Sequence, residues 1–258
     1  MRGWWGLYRT SVGLGARYLV DHGYLREAVI RVVVPLDPSR YLELPETMRE
    51  LGARAGERVL DLASPKLLAF CLARAGVEVV SVDQLESEID AWRKLAADQP
   101  GLRLEVGDGR ALPFEDASFD HAYSVSVLEH IPEPGDEDAL RELARVVRPG
   151  GRVVVTVPCA DAYREDWRDA PVYADQGGAR GRHFFQRWYD RARLERFAAA
   201  APGLELVSSS LSRLEPNLNE LYTRTFPLLV PLGPVFGLLA RRVDGPGGDV
   251  TRLTFERR

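Results

Sequence analysis

The sequence predicts an α/β protein, a mostly parallel sheet covered by helices. Three observations carry this. From Arg58 onward, short β-branched runs alternate with segments of helical period. The run at 152–157, RVVVTV, is apolar almost throughout, as a strand buried on both faces must be. The chain of 258 residues fits one α/β unit with an insertion, so a second folding unit need not be invoked.

The first strand is 58–62, RVLDL; Ser64 then reads as an N-cap and Pro65 as the first helical residue. Leu68, Cys71, Leu72 and Ala75 line one face of that helix, and Gly76 ends it. Strands at 77–83 and 102–106 flank a polar helix, and a fourth at 119–126 leads past Glu129 and His130 into a Pro and Gly loop. Leu140, Leu143, Ala144 and Val147 mark the next amphipathic helix, stopped by Pro149, Gly150 and Gly151 before the fifth strand. Residues 159–187 read as a long polar excursion, of the kind that is usually functional. A helix at 190–200 and strands at 204–213 and 250–257 then complete the sheet edge, and helices at 25–34 and 45–51 pack beside the sheet. The whole chain, 1–258, is read as one domain: an N-terminal helical segment (1–55), a nucleotide-binding core (56–160), and a substrate or lid region that completes the sheet (161–258).

Composition narrows the partners. Apolar residues at 45% and charged residues at 28% exclude disorder, and a net charge of -4 does not favour a polyanion, so nucleic acid is not an expected partner. The two cysteines, Cys71 and Cys159, form neither a disulfide framework nor a metal spacing, which points to a reducing compartment, the cytoplasm. The four histidines show no metal-ligand spacing, and no metal site is expected. The N-terminal stretch lacks the features of a signal peptide and reads as part of the mature protein. The apolar stretch 226–240 is too short and too broken by Pro and Gly to span a bilayer; it reads as packing, as the wall of a substrate pocket, or as a shallow membrane contact. GxxxxGK[ST] and GxGxxG are both missing, which argues against an NTPase and a nicotinamide dehydrogenase.

In an open α/β sheet, ligands bind outside the carboxyl ends of the strands. Asp83 ends the second strand 22 positions after Asp61, close to the spacing of about 20 at which an acid reaches ribose hydroxyls. The plainer reading is an aspartate that caps the next turn.

Five stretches in order, VLDLASP, VVSVDQ, GDGRALPFEDASFDHAYSVSVLEHI, ELARVVRPGG and RVVVTVP, resemble the class I S-adenosylmethionine-dependent methyltransferases, in particular their small-molecule branch. The resemblance covers roughly 58–158. It implies a Rossmann-like, seven-stranded sheet whose last strand is antiparallel, with S-adenosylmethionine lying across the first, second and fourth strands. It suggests Asp83 with Gln84 on the ribose, Asp108 on the adenine amino group with Gly109 and Arg110 beside it, and Ser124, Val125 and Ser126 near the methionine half. One departure stands out. Where the family shows D-x-G-x-G-x-G, this chain has Asp61, Leu62, Ala63, Ser64, Pro65, Lys66 and Leu67, so all three glycines are replaced.

Two readings stay open. In one, the site is rebuilt: the helix beginning at Pro65 offers its free amides to the methionine carboxylate, with Ser64 and Lys66 adding contacts. In the other, the domain is a catalytically inactive scaffold or a partner-binding subunit. For methyl transfer to a small organic acceptor, Glu129 and His130 are the candidate bases, against the plainer reading of a satisfied loop histidine. His183 lies in GRHFFQRWYD, read either as a lid or, with Phe184, Phe185 and Trp188, as the buried face of a helix start. A homodimer or a heteromeric partner fits either reading.

Overall fold

The computed structural model describes residues 2–22, 40–172, 181–213, 241–243 and 250–258. Helices α1 (Arg2–His22) and α2 (Arg40–Leu51) precede β1 (Arg58–Leu62), α3 (Leu67–Arg74), β2 (Glu78–Asp83), α4 (Glu86–Ala96), β3 (Leu102–Val106) and β4 (Phe119–Val125). A 3-10 turn at Leu128–His130 leads to α5 (Gly135–Val146), β5 (Val147–Pro158), β6 (Arg164–Arg168), β7 (His183–Trp188), α6 (Arg191–Ala199), β8 (Leu204–Arg213), β9 (Arg241–Val243) and β10 (Val250–Arg257).

The main sheet has the order β3-β2-β1-β4-β5-β10-β8-β9. β3, β2, β1, β4 and β5 run parallel. β10 lies antiparallel to both β5 and β8, which gives the seven-stranded, mostly parallel sheet with an antiparallel last strand. The three-residue β9 adds an eighth strand at the edge of β8.

Alternation along each strand sends neighbours to opposite faces. Val59, Val79 and Val154 join the cluster formed with α1, α2 and α3, through Leu7, Leu14, Leu44, Leu51, Leu68 and Phe70. Leu60, Val80, Val153 and Val155 join the other cluster, against Leu140 and Leu143 of α5 and Phe197 of α6. Helices thus cover both faces. The β4–β5 pairing slips between Phe119 and His121, where Phe119 faces Val147 but His121 faces Arg152. Gly151 sits in that slip, where a Cβ would stand 2.2 Å from the Asp120 carbonyl oxygen, so only glycine allows the approach.

The structure corrects four expectations. Part of the 159–187 excursion is a two-stranded antiparallel sheet, β6 on β7. Phe184, Phe185 and Trp188 therefore lie on a strand and not at a helix start; the ladder and the Arg164–Trp188 and Arg168–Phe185 stackings hold it. α3 begins at Leu67, not at Pro65, and has no side-chain cap. α2 starts a turn before Pro45, and α1 forms despite its glycines, because Leu7 and Leu14 are buried against the sheet's helices. The expected helix at 25–34 and the apolar stretch 226–240 lie outside the described residues. Both cysteines are free and buried. Among the described residues no helix is long and apolar enough to cross a membrane.

Candidate functional site

Strand order reverses between β1 and β4, so the site must be built from the segments that leave the carboxyl ends of β1, β2, β3 and β4. After β1, the buried Asp61 accepts from the Ser81 hydroxyl at 2.7 Å and from the Ser64 amide at 3.1 Å. Burial pushes its carboxyl up, opposed by the Lys66 charge and these hydrogen bonds. Ala63 takes φ 52°, the left-handed region that favours glycine, while its amide donates to the Val82 carbonyl at 2.7 Å. The turn therefore keeps a glycine-like conformation at a cost of roughly 1–2 kcal/mol. Ser64 is no helix cap. Its hydroxyl donates to the Leu62 carbonyl and accepts from the Val125 amide at 2.9 Å, stitching the turn to β4. Pro65 is half-buried beside it.

Lys66 is enclosed, with 4% of its surface exposed. Its ammonium donates to the Ser64 carbonyl at 3.1 Å and to Asp83 Oδ2 at 3.4 Å, and stands 3.9 Å from Asp61 Oδ2. The other Asp83 oxygen accepts from the Leu85 amide at 3.0 Å, and Gln84 beside it is exposed. After β3, Arg110 clasps Asp108 through Nε and Nη2, at 2.6 Å for the latter, and its amide adds a third bond. That grip holds the Asp108 carboxyl below its ordinary range. Gly109 is buried against Leu62, whose Cδ1 a Cβ would approach to 2.8 Å.

After β4, the buried Ser124 hydroxyl donates to the Leu62 carbonyl at 3.2 Å. Ser126, at φ 51°, donates from its amide to Thr156 and from its hydroxyl to Glu43 Oε1 at 3.0 Å. Glu43 comes from α2 and pairs with Arg40, which brings two N-terminal charges to the end of β4. α2 is held there by an ion pair between Glu46 and Arg252 of β10. Glu129 is buried, its Oε2 has no hydrogen-bond partner among the described residues, and burial together with Glu43 pushes its carboxyl up to about 8 against the pull of Arg40 and Arg187. The His130 Nδ1 lies 2.7 Å from the Phe185 carbonyl oxygen, which only accepts, so Nδ1 carries the proton. Nε2 is then the acceptor nitrogen, 3.7 Å from Glu129 Oε1, and burial lowers the imidazole's affinity for a second proton. The site residues named from the sequence thus flank one strand-end region, but the two acids meant for a nucleoside each carry a basic partner from their own chain.

Residues 60–155 match the family model of a methyltransferase domain. Over that segment, which is less than half of the chain, the sequence is similar to the methyltransferase-domain family. It is 42% identical over 110 residues to a demethylmenaquinone methyltransferase of Beutenbergia cavernae, which covers 42% of this chain and 44% of that protein. Among solved structures it resembles the PH0226 protein from Pyrococcus horikoshii OT3, with TM-score 0.57 at 18% identity over 85% of this chain and 90% of the other. It also resembles a geranyl diphosphate C-methyltransferase from Streptomyces coelicolor A3(2), with TM-score 0.56 at 16% identity over 84% and 75%. At such identity these structures speak for the fold alone. The chain spans less than half the length of the curated relatives it matches.

Sequence reasoning missed Glu43 and Arg40, which lie outside the matched segment, because nothing in the spacing of 40–51 says which strand end its acids face. It also missed the pairing of Lys66 with Asp83, although a signal was present: Lys66 is one of only two lysines in an arginine-rich chain and stands between two of the replaced glycine positions, 65 and 67.

Proposed function

We propose that this protein is an S-adenosylmethionine-dependent methyltransferase acting on a small, lipophilic organic acceptor. One observation carries the reading: Asp83 ends β2 beside a turn that Ala63 holds in a glycine-like conformation. The donor set fits the cofactor. A carboxylate offers about four acceptor directions, and Asp83 uses two of them, on Lys66 and Leu85, leaving capacity for a sugar diol. Asp108, exposed like its arginine, is free to exchange part of that grip for an amino group. Asp61, Ala63, Ser64, Pro65 and Gln84, with Gly109, Arg110, Ser124, Val125 and Ser126, form the surrounding wall in this reading.

When bound, the cofactor supplies an electrophilic methyl group on a sulfonium. The chain's own task is to align and desolvate the acceptor and to receive its proton. His130 Nε2 is the base: its tautomer is fixed by the Phe185 carbonyl, and burial keeps the ring neutral and ready to accept. Glu129, kept protonated by burial at neutral pH, orients the acceptor as a hydrogen-bond donor. The lipophilic acceptor is supported by relatives named for demethylmenaquinone. The free, buried thiols support a reducing compartment, the cytoplasm.

A second reading, an inactive homologue serving as a scaffold, is favoured by the Lys66–Asp83 and Arg110–Asp108 contacts. Methyl-labelled cofactor incubated with the protein and prenylated hydroquinone or phenol acceptors separates the two. The proposal expects label in the organic extract that falls at least about tenfold in His130→Gln. Bound cofactor with no transfer to any acceptor would favour the scaffold.

A further inference from the structure

The turn after β1 has few means left to hold an anion. The Ala63 amide is committed to Val82, the Ser64 amide to Asp61, and Pro65 has none. In the first turns of α3, the Leu68 and Phe70 amides already donate to Pro65 and Lys66. A backbone cradle of the kind a glycine-rich turn provides is therefore reduced here, with the amides of Lys66 and Leu67 its remainder. A cation stands in its place. Lys66 is enclosed, its ammonium reaches across the turn, and its bond to Asp83 at 3.4 Å lies at the long end of the range for a charge-assisted contact. Asp61 at 3.9 Å is too far to take the remaining proton in a hydrogen bond.

We propose that Lys66 is a specificity-determining residue that reads the anionic end of the ligand: it yields Asp83 to the sugar diol and pairs with the amino-acid carboxylate. The proposal rests on the cofactor reading above. It makes the site selective for nucleosides that carry a carboxylate over those that do not, a discrimination for which the turn's backbone keeps few amides. The exchange is balanced, because the ammonium swaps one carboxylate for another and Asp83 swaps one donor for two hydroxyls.

Calorimetric titration of the full chain with S-adenosylhomocysteine and with 5′-methylthioadenosine, which keeps the nucleoside thioether but lacks the amino acid, tests this. Wild type is expected to bind the former at least tenfold more tightly. Lys66→Met is expected to erase that preference by weakening S-adenosylhomocysteine alone, and Lys66→Arg to keep it; thermal unfolding verifies that each variant is folded. Equal affinities in wild type overturn the proposal without help from any variant, and leave the cofactor reading standing. A preference that survives in Lys66→Met, or a gain for both ligands that marks the lysine as a plug, also overturns it. Binding of neither ligand overturns both the proposal and the reading beneath it.

Discussion

The guanidinium of Arg187, with 0% of its side chain exposed, stands 2.6 Å from the equally enclosed Asp136 carboxylate. Asp136 lies in the first turn of α5 and also collects the Tyr189 hydroxyl at 2.8 Å and Arg193 at 2.8 Å, while Arg187 Nη2 donates to the Ile131 carbonyl at 2.6 Å. The network anchors β7, and β7 carries the Phe185 carbonyl that sets the His130 tautomer. A buried charge pair is thus placed where it orients the candidate base.

Removing the carboxylate leaves the enclosed Arg187 charge without its partner, which costs about 3–5 kcal/mol, and Asp136→Asn is expected to lose stability on that scale in urea unfolding. Arg187→Met leaves Asp136 its bonds to Arg193 and Tyr189 and is expected to lose less, about 1–3 kcal/mol. The double variant should recover part of the loss. A single-variant effect below about 1 kcal/mol would show that the network is not what holds β7.

Glu129 gives a pH signature of opposite sign to the usual carboxylate. Its folded-state pKa of about 8 lies above the ordinary 4.5, so the folded chain holds a proton that the unfolded chain has released between those values. Its contribution is present below 4.5 and is lost as pH rises, at about 1.4 kcal/mol per unit, until it levels off near 8. Unfolding measured from pH 5 to 8 should slope downward in wild type and flatten in Glu129→Gln. An unchanged slope would mean that this carboxyl is ionised in the fold.

Ala63 pays for its left-handed turn, and glycine would not. Ala63→Gly is expected to leave stability unchanged or raise it by about 1 kcal/mol, because relief of the turn offsets the added freedom of the unfolded chain. Ala63→Val, β-branched at φ 52°, should destabilise by more than about 1 kcal/mol. Denaturant midpoints check both, and a clear loss in the glycine variant would contradict the strain.

The Asp108–Arg110 pair is exposed on both sides and should contribute little to folding. Arg110→Ala is expected to change stability by less than about 0.5 kcal/mol, although its guanidinium grips the carboxylate through two nitrogens. A loss above about 1 kcal/mol in thermal unfolding would show that this clasp is structural.

Strands with their own apolar signature were legible in the sequence: β1, β3, β8 and β10 fall at the predicted residues, through burial in β1 and β10 and through alternating or β-branched side chains in the more exposed β3 and β8. β6, REDWR, has no apolar face, and it pairs with β7 through backbone and guanidinium stacking that no periodicity announces. α1 falls within the segment 1–55 read as helical, but its bounds were not legible, since its glycines lower the helix propensity that burial of Leu7 and Leu14 offsets. At the site, the acids at strand ends were readable from spacing and resemblance. Their partners were not, because Lys66 meets Asp83, and Glu43 meets Ser126, only after the chain has crossed the sheet.

The proposed activity depends first on Asp83 gripping a nucleoside diol at the end of β2. Calorimetric titration of wild type and Asp83→Asn with S-adenosylhomocysteine reads that grip. Micromolar binding to wild type is expected, with a loss of at least about tenfold in the variant, which keeps the size of the side chain but not its charge. No heat from wild type at millimolar ligand, or equal affinity in Asp83→Asn, would show that Asp83 holds no cofactor.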